Sequence, residues 1–163
     1  HLSIRRQRQM CIRDSPKTEA DKLRKEKKPV PIKAELLNLA SGEKYTVENA
    51  SSFSFSKDSK FFVVMKAKQE GEGKPKGSDL ILRNLGTGTV LNIGNVLDYK
   101  FNKPGTLLAY TIDVAEKKGN GIYLYELASG KLRPLDTGEA DYAQLTWDKE
   151  GTALAVLKGT KKK

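Results

Sequence analysis

The chain has 163 residues, a length typical of one domain, and 37% of them are hydrophobic. That fraction is low for a membrane protein, and no apolar run approaches the roughly 20 residues of a transmembrane helix. The formal net charge of +10 would by itself suggest a nucleic-acid partner. The excess lies near the two ends, because residues 31–157 hold sixteen basic and sixteen acidic side chains. A nucleic-acid-binding face is therefore not predicted.

Histidine and cysteine are nearly absent. His1 and Cys11 are the single examples, and both lie in the first fifteen residues. Residues 16–163 therefore offer no disulfide, no Cys/His metal site and no histidine for acid–base catalysis. We predict no catalytic, cofactor-binding or metal-binding residue in the chain.

The N-terminal residues differ from the rest. Residues 1–15 resemble the translation of a sequencing-library adapter, most closely from Arg5 to Ser15, and are predicted to be an artefactual tail. The alternative is a genuine basic tail.

Residues 16–31 are predicted to form a charged helix and linker. Pro16 suits a first helical position, and the prolines at 29 and 31 end the helix at about residue 28. Leu23 is the one large apolar residue of that helix, so it has no stripe to bury.

From residue 32 onward the pattern is that of short strands. Residues 61–65 are apolar at every position, which predicts a central strand covered on both faces. The predicted strands are 35–39, 44–47, 51–56, 61–65, 79–85, 89–93, 97–101, 106–113, 121–127, 131–135, 143–147 and 152–157.

Two markers repeat along these strands. Leu-Ala-Ser-Gly at 39–42 returns as Leu-Gly-Thr-Gly at 85–88 and as Leu-Ala-Ser-Gly at 127–130, and Phe55, Phe101 and Trp147 lie 46 residues apart. A period of about 40–50 residues that contains four strands is typical of β-propellers. The prediction is an all-β propeller fragment over residues 32–158, with two complete four-stranded blades, two half blades and a basic tail at 159–163.

The same period predicts the core. The three repeated aromatic residues are expected to be largely buried between blades, as are four aliphatic residues of the strands, namely Val63, Leu108, Leu124 and Leu154.

The repeat resembles the TolB-like (PD40) propeller repeat over about residues 34–158. Leu108-Ala109-Tyr110 matches the usual Leu-Ala-Tyr of that repeat, whereas Lys57-Asp58-Ser59 and Lys103-Pro104-Gly105 are degenerate forms of its Ser-Pro-Asp-Gly turn. Segments 76–83, 101–103 and 145–148 further resemble the N-terminal propeller of bacterial prolyl oligopeptidase family serine peptidases. In that family the propeller precedes an α/β-hydrolase domain with a Ser-Asp-His triad, restricts access to the active site and helps to position peptides.

Patterns that could carry chemistry have simpler explanations. No Gly-x-Ser-x-Gly elbow occurs, and residues 71–78 lack the spacing of a phosphate loop and contain Pro75. Five loop carboxylates could share a surface, but solvated charge beside Lys117 and Lys118 is the preferred interpretation. They are Asp113, Glu116, Asp136, Glu139 and Asp141. Asp58 and Asp148 are predicted to cap turns.

The resemblance implies a non-catalytic segment of a larger prolyl oligopeptidase-like peptidase that gates access and contacts substrate. Its expected partners are the hydrolase domain and the remaining blades, and a peptide substrate. The chain by itself is expected to self-associate through unpaired edge strands. The alternative is a TolB-like interaction propeller with no attached enzyme, and a hydrolase sequence downstream would separate the two. A periplasmic, secreted or cytoplasmic location is left open.

Overall fold

In the computed structural model the chain divides after Pro31 into two units, and the structure describes residues 32–69, 71 and 73–160. The tail predicted over 1–15 and the helix predicted over 16–28 lie outside these residues. The described part is all-β, and it contains no helix that could cross a membrane. Its eleven strands are β1 Ala34–Leu37, β2 Lys44–Val47, β3 Ala50–Phe55, β4 Phe61–Lys66, β5 Ser78–Asn84, β6 Val90–Phe101, β7 Leu107–Ile112, β8 Gly121–Glu126, β9 Leu132–Thr137, β10 Asp141–Trp147 and β11 Leu154–Gly159.

All strand pairs in the described residues are antiparallel. β1 pairs with β2, β10 pairs with β11, and β3 to β9 form one seven-stranded sheet in chain order. The strands predicted to begin each repeat pair as antiparallel hairpins, namely 51–56 with 61–65, 97–101 with 106–113 and 143–147 with 152–157. We call these three the first hairpins. The strands predicted at 89–93 and 97–101 are one continuous strand, β6, so the prediction of two separate strands was wrong.

β6 belongs to two four-stranded repeat units. Its first half pairs with β5 from Val90 to Val96, and its second half pairs with β7 from Val96 to Phe101. The first repeat unit is therefore β3, β4, β5 and the first half of β6, and the second is the second half of β6, β7, β8 and β9. We call β1–β2 the leading hairpin and β10–β11 the trailing hairpin.

A bulge bends the chain where it enters each unit. The register shifts between Ala50 and Ser52 in β3 and between Val96 and Asp98 in β6, which are equivalent positions in the 46-residue period. Asn49 precedes the first shift and has a φ of 56°, and Asn95 precedes the second and has a φ of 57°. Asparagine tolerates positive φ values better than most residues do. A bulge re-aims a strand and increases its twist, so one continuous strand can belong to two repeat units of the same sheet.

Three apolar layers hold the units face to face. In the central strand β4, Phe62 and Val64 pack toward the leading hairpin, whereas Phe61 and Val63 pack toward the second repeat unit. β7 divides in the same manner, because Leu108 and Tyr110 face the first unit and Ala109 faces the trailing hairpin. The double-sided apolar strand predicted at 61–65 is thus confirmed, and each unit is covered on two faces.

The burial of the repeated aromatic residues was predicted wrongly. Phe55 is 47% exposed, while Phe101 and Trp147 are half-buried. Phe101 packs on the layer between the two repeat units, and Trp147 packs on the layer between the second unit and the trailing hairpin. Trp147 also donates its indole N–H to Lys100 O at 3.1 Å, whereas the ring of Phe55 contacts Phe62 of its own unit. β3 has no preceding first strand among the described residues, which leaves Phe55 open.

Three of the four aliphatic residues that were predicted to be buried are buried. Val63, Leu108 and Leu124 are buried as expected. Leu154 is half-buried, because the trailing hairpin is covered on one face, by the second repeat unit.

The layer between the two repeat units should dominate stability. We expect Leu108→Ala to lower the free energy of unfolding by about 2–5 kcal/mol, because Leu108 is fully buried there and the truncation leaves a cavity. Leu132→Ala is the matched control, since Leu132 is 50% exposed on β9, and it should cost less than about 0.5 kcal/mol. Urea denaturation measures both, and equal losses would contradict the packing described.

Candidate functional site

The turns that join β3 to β4, β6 to β7 and β10 to β11 have the same construction, and we call them the first-hairpin turns. Ser56, Asn102 and Asp148 occupy equivalent positions, and each side chain accepts backbone N–H groups from the far side of its own turn. Asn102 Oδ1 accepts from Thr106 and Leu107 at 2.9 Å, and Asp148 Oδ1 accepts from Thr152 at 2.7 Å and Ala153 at 2.9 Å. Short polar side chains of this kind fix turns by mimicking a backbone acceptor.

The two aspartates predicted to cap turns do so. Asp148 caps the third turn, and Asp58 Oδ1 accepts from Ser56 Oγ at 2.6 Å and from Lys60 N at 3.2 Å. The hydrogen bond from Ser56 lowers the pKa of Asp58. The backbone amide of Ala153 lowers the pKa of Asp148. Both carboxylates therefore serve the turns as ionised acceptors.

Successive turns contact one another through glycine. Gly105 and Gly151 lie in the left-handed region, with φ values of 77° and 76°. A Cβ on Gly105 would lie 3.1 Å from Lys57 N, and a Cβ on Gly151 would lie 2.9 Å from Lys103 N. The absence of a side chain thus allows each turn to rest on the backbone of the turn before it.

These stacked turns line an open depression, which we call the turn cleft. Its volume is about 420 Å³, and it is lined by Lys57, Asp58, Lys103, Pro104 and Glu150. Lys103 Nζ lies 3.6 Å from Glu150 Oε2, and the described residues provide no ion-pair partner for Lys57. Sequence reasoning missed this site, although Lys57, Lys103 and Lys149 follow the repeat spacing of 46 residues.

The five loop carboxylates do not form a common site. Asp141 pairs with Lys117, and its second oxygen lies 3.7 Å from Lys76. Asp136 accepts from Lys158 Nζ at 2.6 Å and from Tyr142 OH at 3.1 Å. Asp113 is buried, whereas Glu116 and Glu139 are exposed. The preferred interpretation of solvated, lysine-paired charge agrees with this arrangement for Asp136 and Asp141.

The pKa shifts of Asp136 and Asp141 are opposite in direction to those that suit acid–base catalysis at neutral pH. The hydrogen bond from Lys117 lowers the pKa of Asp141, and the hydrogen bond from Lys158 lowers the pKa of Asp136. A general acid or base works best with a pKa near the working pH, and these shifts go the other way. The described residues also hold no group of three or more His, Cys, Asp or Glu side chains that could bind a metal.

Asn120 is a buried asparagine whose side chain hydrogen-bonds to two neighbouring segments. Asn120 accepts from Val114 N at 2.7 Å through Oδ1 and donates to Ala140 O at 2.9 Å through Nδ2. It therefore ties the loop after β7 to the segment that begins the trailing hairpin. No periodic signal points to Asn120, because the other repeats have no equivalent asparagine.

Gly77 stands directly before β5, at the end of the glycine-rich stretch. A Cβ on Gly77 would lie 2.2 Å from Asn95 O, so this glycine permits a close backbone contact with the β6 bend. The geometry agrees with the prediction of an interstrand loop in place of a phosphate loop.

Three solved structures are similar to parts of this chain. The tricorn protease matches 75% of this chain and 12% of its own, with a TM-score of 0.53 and 15% identity. The β-propeller domain of the Trilobed protease from Pyrococcus furiosus matches 82% of this chain and 48% of its own, with a TM-score of 0.47 and 15% identity. Kuenenia stuttgartiensis hydrazine synthase matches 75% of this chain and 42% of its own, with a TM-score of 0.43 and 15% identity.

The similarity to the tricorn protease, the one of these three above a TM-score of 0.5, shows a shared all-β fold and is limited to a small part of that protein. No protein-family model and no curated protein matches the chain. The resemblance to TolB-like and prolyl oligopeptidase repeats therefore stays a proposal.

The stacking of the turns can be tested with two glycines. Gly151→Ala and Gly42→Ala both place a side chain at a φ near 75°, which costs roughly 1–2 kcal/mol. A Cβ at Gly42 meets no atom within 4 Å, so the second variant isolates backbone strain. We expect Gly151→Ala to lose at least about 1 kcal/mol more in urea denaturation, and equal losses would show that the turns do not touch.

The Asp141 ion pair should give stability a specific pH dependence. Because its pKa is lowered in the folded state, its stabilisation is complete above 3.8, the ordinary Asp value, and is lost as the pH falls through the lowered value. Asp141→Asn should therefore be less stable than the wild type at pH 7, and the gap should close below pH 3.8. Thermal melts between pH 2 and 7 measure this; a gap that persists at the acid end would contradict the ion pair.

Proposed function

We propose that this chain is a non-catalytic β-propeller segment that serves a larger serine peptidase by restricting access to its active site and contacting peptide substrates. The observation that carries the proposal is the turn cleft, where turns from three successive repeats meet. Loops gathered at one end of a repeated β scaffold commonly bind ligands, because the scaffold positions them rigidly.

The charges of the turn cleft favour carboxylate-bearing peptides. Lys57 and Lys103 line it together with Asp58 and Glu150. Asp58 lies 3.6 Å from Lys60 Nζ and Glu150 lies 3.6 Å from Lys103 Nζ, so among the described residues Lys57 is the lining cation that has no ion-pair partner. An ammonium group binds a peptide carboxylate with a charge-assisted hydrogen bond. The fold shared with part of the tricorn protease is in keeping with a peptidase-associated role.

The absence of histidine from residues 16–163 supports the non-catalytic part of the proposal. An activated serine nucleophile needs an adjacent base, and the lysine-paired carboxylates Asp136 and Asp141 are poor candidates for it.

Peptide contact can be measured by fluorescence anisotropy with labelled acidic and basic peptides of equal length. We expect the acidic peptide to bind and Lys57→Glu to weaken that binding about tenfold or more. Lys118→Glu is the control, since Lys118 is an exposed lysine in the loop after β7. Binding that is equal in both variants, or absent in the wild type, would reject the turn cleft as a peptide site.

The purified chain should hydrolyse neither peptides nor esters in an assay run alongside a serine peptidase standard. A His1→Ala variant removes the single histidine. Turnover that survives in this variant would contradict the non-catalytic assignment without bearing on peptide contact.

A further inference from the structure

Asn120 and Gly121 form the single Asn-Gly pair of the sequence. An asparagine before glycine is prone to deamidate, because glycine has no side chain to shield its backbone nitrogen. In that reaction Gly121 N attacks Asn120 Cγ and loses its proton, the bond from Cγ to Nδ2 breaks, and ammonia leaves. Water then opens the succinimide ring and gives aspartate or isoaspartate. The dipeptide alone therefore marks Asn120 as a reactive residue.

The packing around Gly121 explains why a glycine stands there. Gly121 is the first residue of β8 and lies opposite Thr137 of β9. A Cβ at this position would lie 2.6 Å from Asp136 O and 3.1 Å from Thr137 Cγ2. Any larger residue would therefore collide with the backbone of β9, so strand pairing requires the residue that makes Asn120 reactive.

The folded chain holds both the backbone and the side chain of Asn120. Its N–H donates to Lys117 O at 3.2 Å, and its carbonyl accepts from Gly138 N at 3.1 Å. Its Oδ1 accepts from Val114 N at 2.7 Å, and its Nδ2 donates to Ala140 O at 2.9 Å. Ring closure needs the side chain to rotate over its own peptide bond, which would break both side-chain hydrogen bonds. The fold therefore opposes the reaction.

Deamidation would remove one of these bonds permanently. A carboxylate at this position still accepts from Val114 N, but it has no hydrogen to donate to Ala140 O. Two acceptors would then face each other in a site that is closed to solvent, which is costly. Ala140 is 2% exposed and belongs to the apolar layer between the second repeat unit and the trailing hairpin. The lost bond would therefore act on the docking of that hairpin.

We propose that Asn120 is a deamidation site that the fold protects, and that its conversion loosens the trailing hairpin from the second repeat unit. Conversion requires the loop after β7 to open first, because the closed loop holds the side chain. The loss of ammonia makes the step irreversible, so an opening that leads to reaction marks the chain permanently. This proposal does not depend on peptide binding at the turn cleft.

The first test compares conversion in the folded and the unfolded full chain. Both are incubated in the same mildly alkaline buffer, one with guanidinium chloride, and the peptide that contains Asn120 is examined by mass spectrometry with isoaspartate separated. We expect conversion in the folded chain to be about tenfold or more slower. Asn102 is the internal control, because Lys103 follows it, and it should react far more slowly in denaturant. Equal rates in the two states, or no conversion of Asn120 in denaturant, would overturn the proposal.

The second test removes one protecting hydrogen bond. Val114→Pro lacks the backbone N–H that Asn120 accepts, whereas Val114→Ala keeps it. We expect the folded Val114→Pro chain to convert about tenfold or more faster than the wild type, and Val114→Ala to convert at the wild-type rate. Equal rates in all three would contradict the protection. If Val114→Pro does not fold, the wild type is measured in denaturant below its unfolding transition, and a rate that does not rise there would contradict it.

The third test examines the consequence with Asn120→Asp, the product of the reaction. We expect amide hydrogen exchange in β10 and β11 to become about tenfold or more faster, with little change in β4 and β5. Asn102→Asp is the matched control, because the equivalent residue of the third turn is already Asp148, which accepts from Thr152 Oγ1 at 3.1 Å. Unchanged exchange in Asn120→Asp, or the same change in both variants, would show that conversion does not act on the trailing hairpin.

Discussion

The central strands of this chain are apolar on both faces, and the rest of the structure follows from that constraint. β4 presents Phe62 and Val64 to one side and Phe61 and Val63 to the other. A four-stranded sheet of this kind cannot bury both faces alone, so it needs a neighbour on each side. The repeat satisfies the need by stacking, and each face of one unit forms the cover of the next.

Stacking also requires the chain to pass from one repeat unit to the next without a long connection. β6 does so as a single strand that bends at Asn95 and at the bulge before Asp98. Asn49 occupies the same position before β3, and their carbonyl groups accept from Ala67 at 2.6 Å and Asp113 at 2.9 Å. Each bend is therefore held by a hydrogen bond from the residue that follows β4 or β7.

The repeat made much of this fold predictable. The 46-residue spacing located the three first hairpins and the double-sided strand 61–65, because local alternation and turn chemistry agree there. The exposure of Phe55 could not be predicted from its own repeat, since it depends on whether another first strand lies beside β3. The merging of 89–93 with 97–101 was also missed, because Gly94 and Asn95 interrupt the strand pattern, whereas the hydrogen bond from Asp113 N to Asn95 O holds a bend there.

The candidate site was less predictable than the fold. The capping roles of Asp58 and Asp148 followed from turn chemistry, whereas the ion pair of Asp141 with Lys117 joins residues 24 apart in the sequence and was not predicted. The turn cleft depends on contacts between turns that are 46 residues apart, such as Gly151 against Lys103, and no local pattern encodes them. Asn120 is a unique residue of one loop, so periodicity could not reveal its role.

The stacked apolar layer between the two repeat units is the central claim, and methyl NOE spectroscopy tests it most directly. With Leu and Val methyl groups labelled, the account predicts cross-peaks that connect Val63, Leu80 and Leu82 of the first unit with Leu108 of the second. These residues are nearly inaccessible to solvent, and β7 is not hydrogen-bonded to β4 or β5, so their side chains meet through packing of the two repeat units. If Leu108 instead shows cross-peaks only to residues of its own unit, the stacking described here is contradicted.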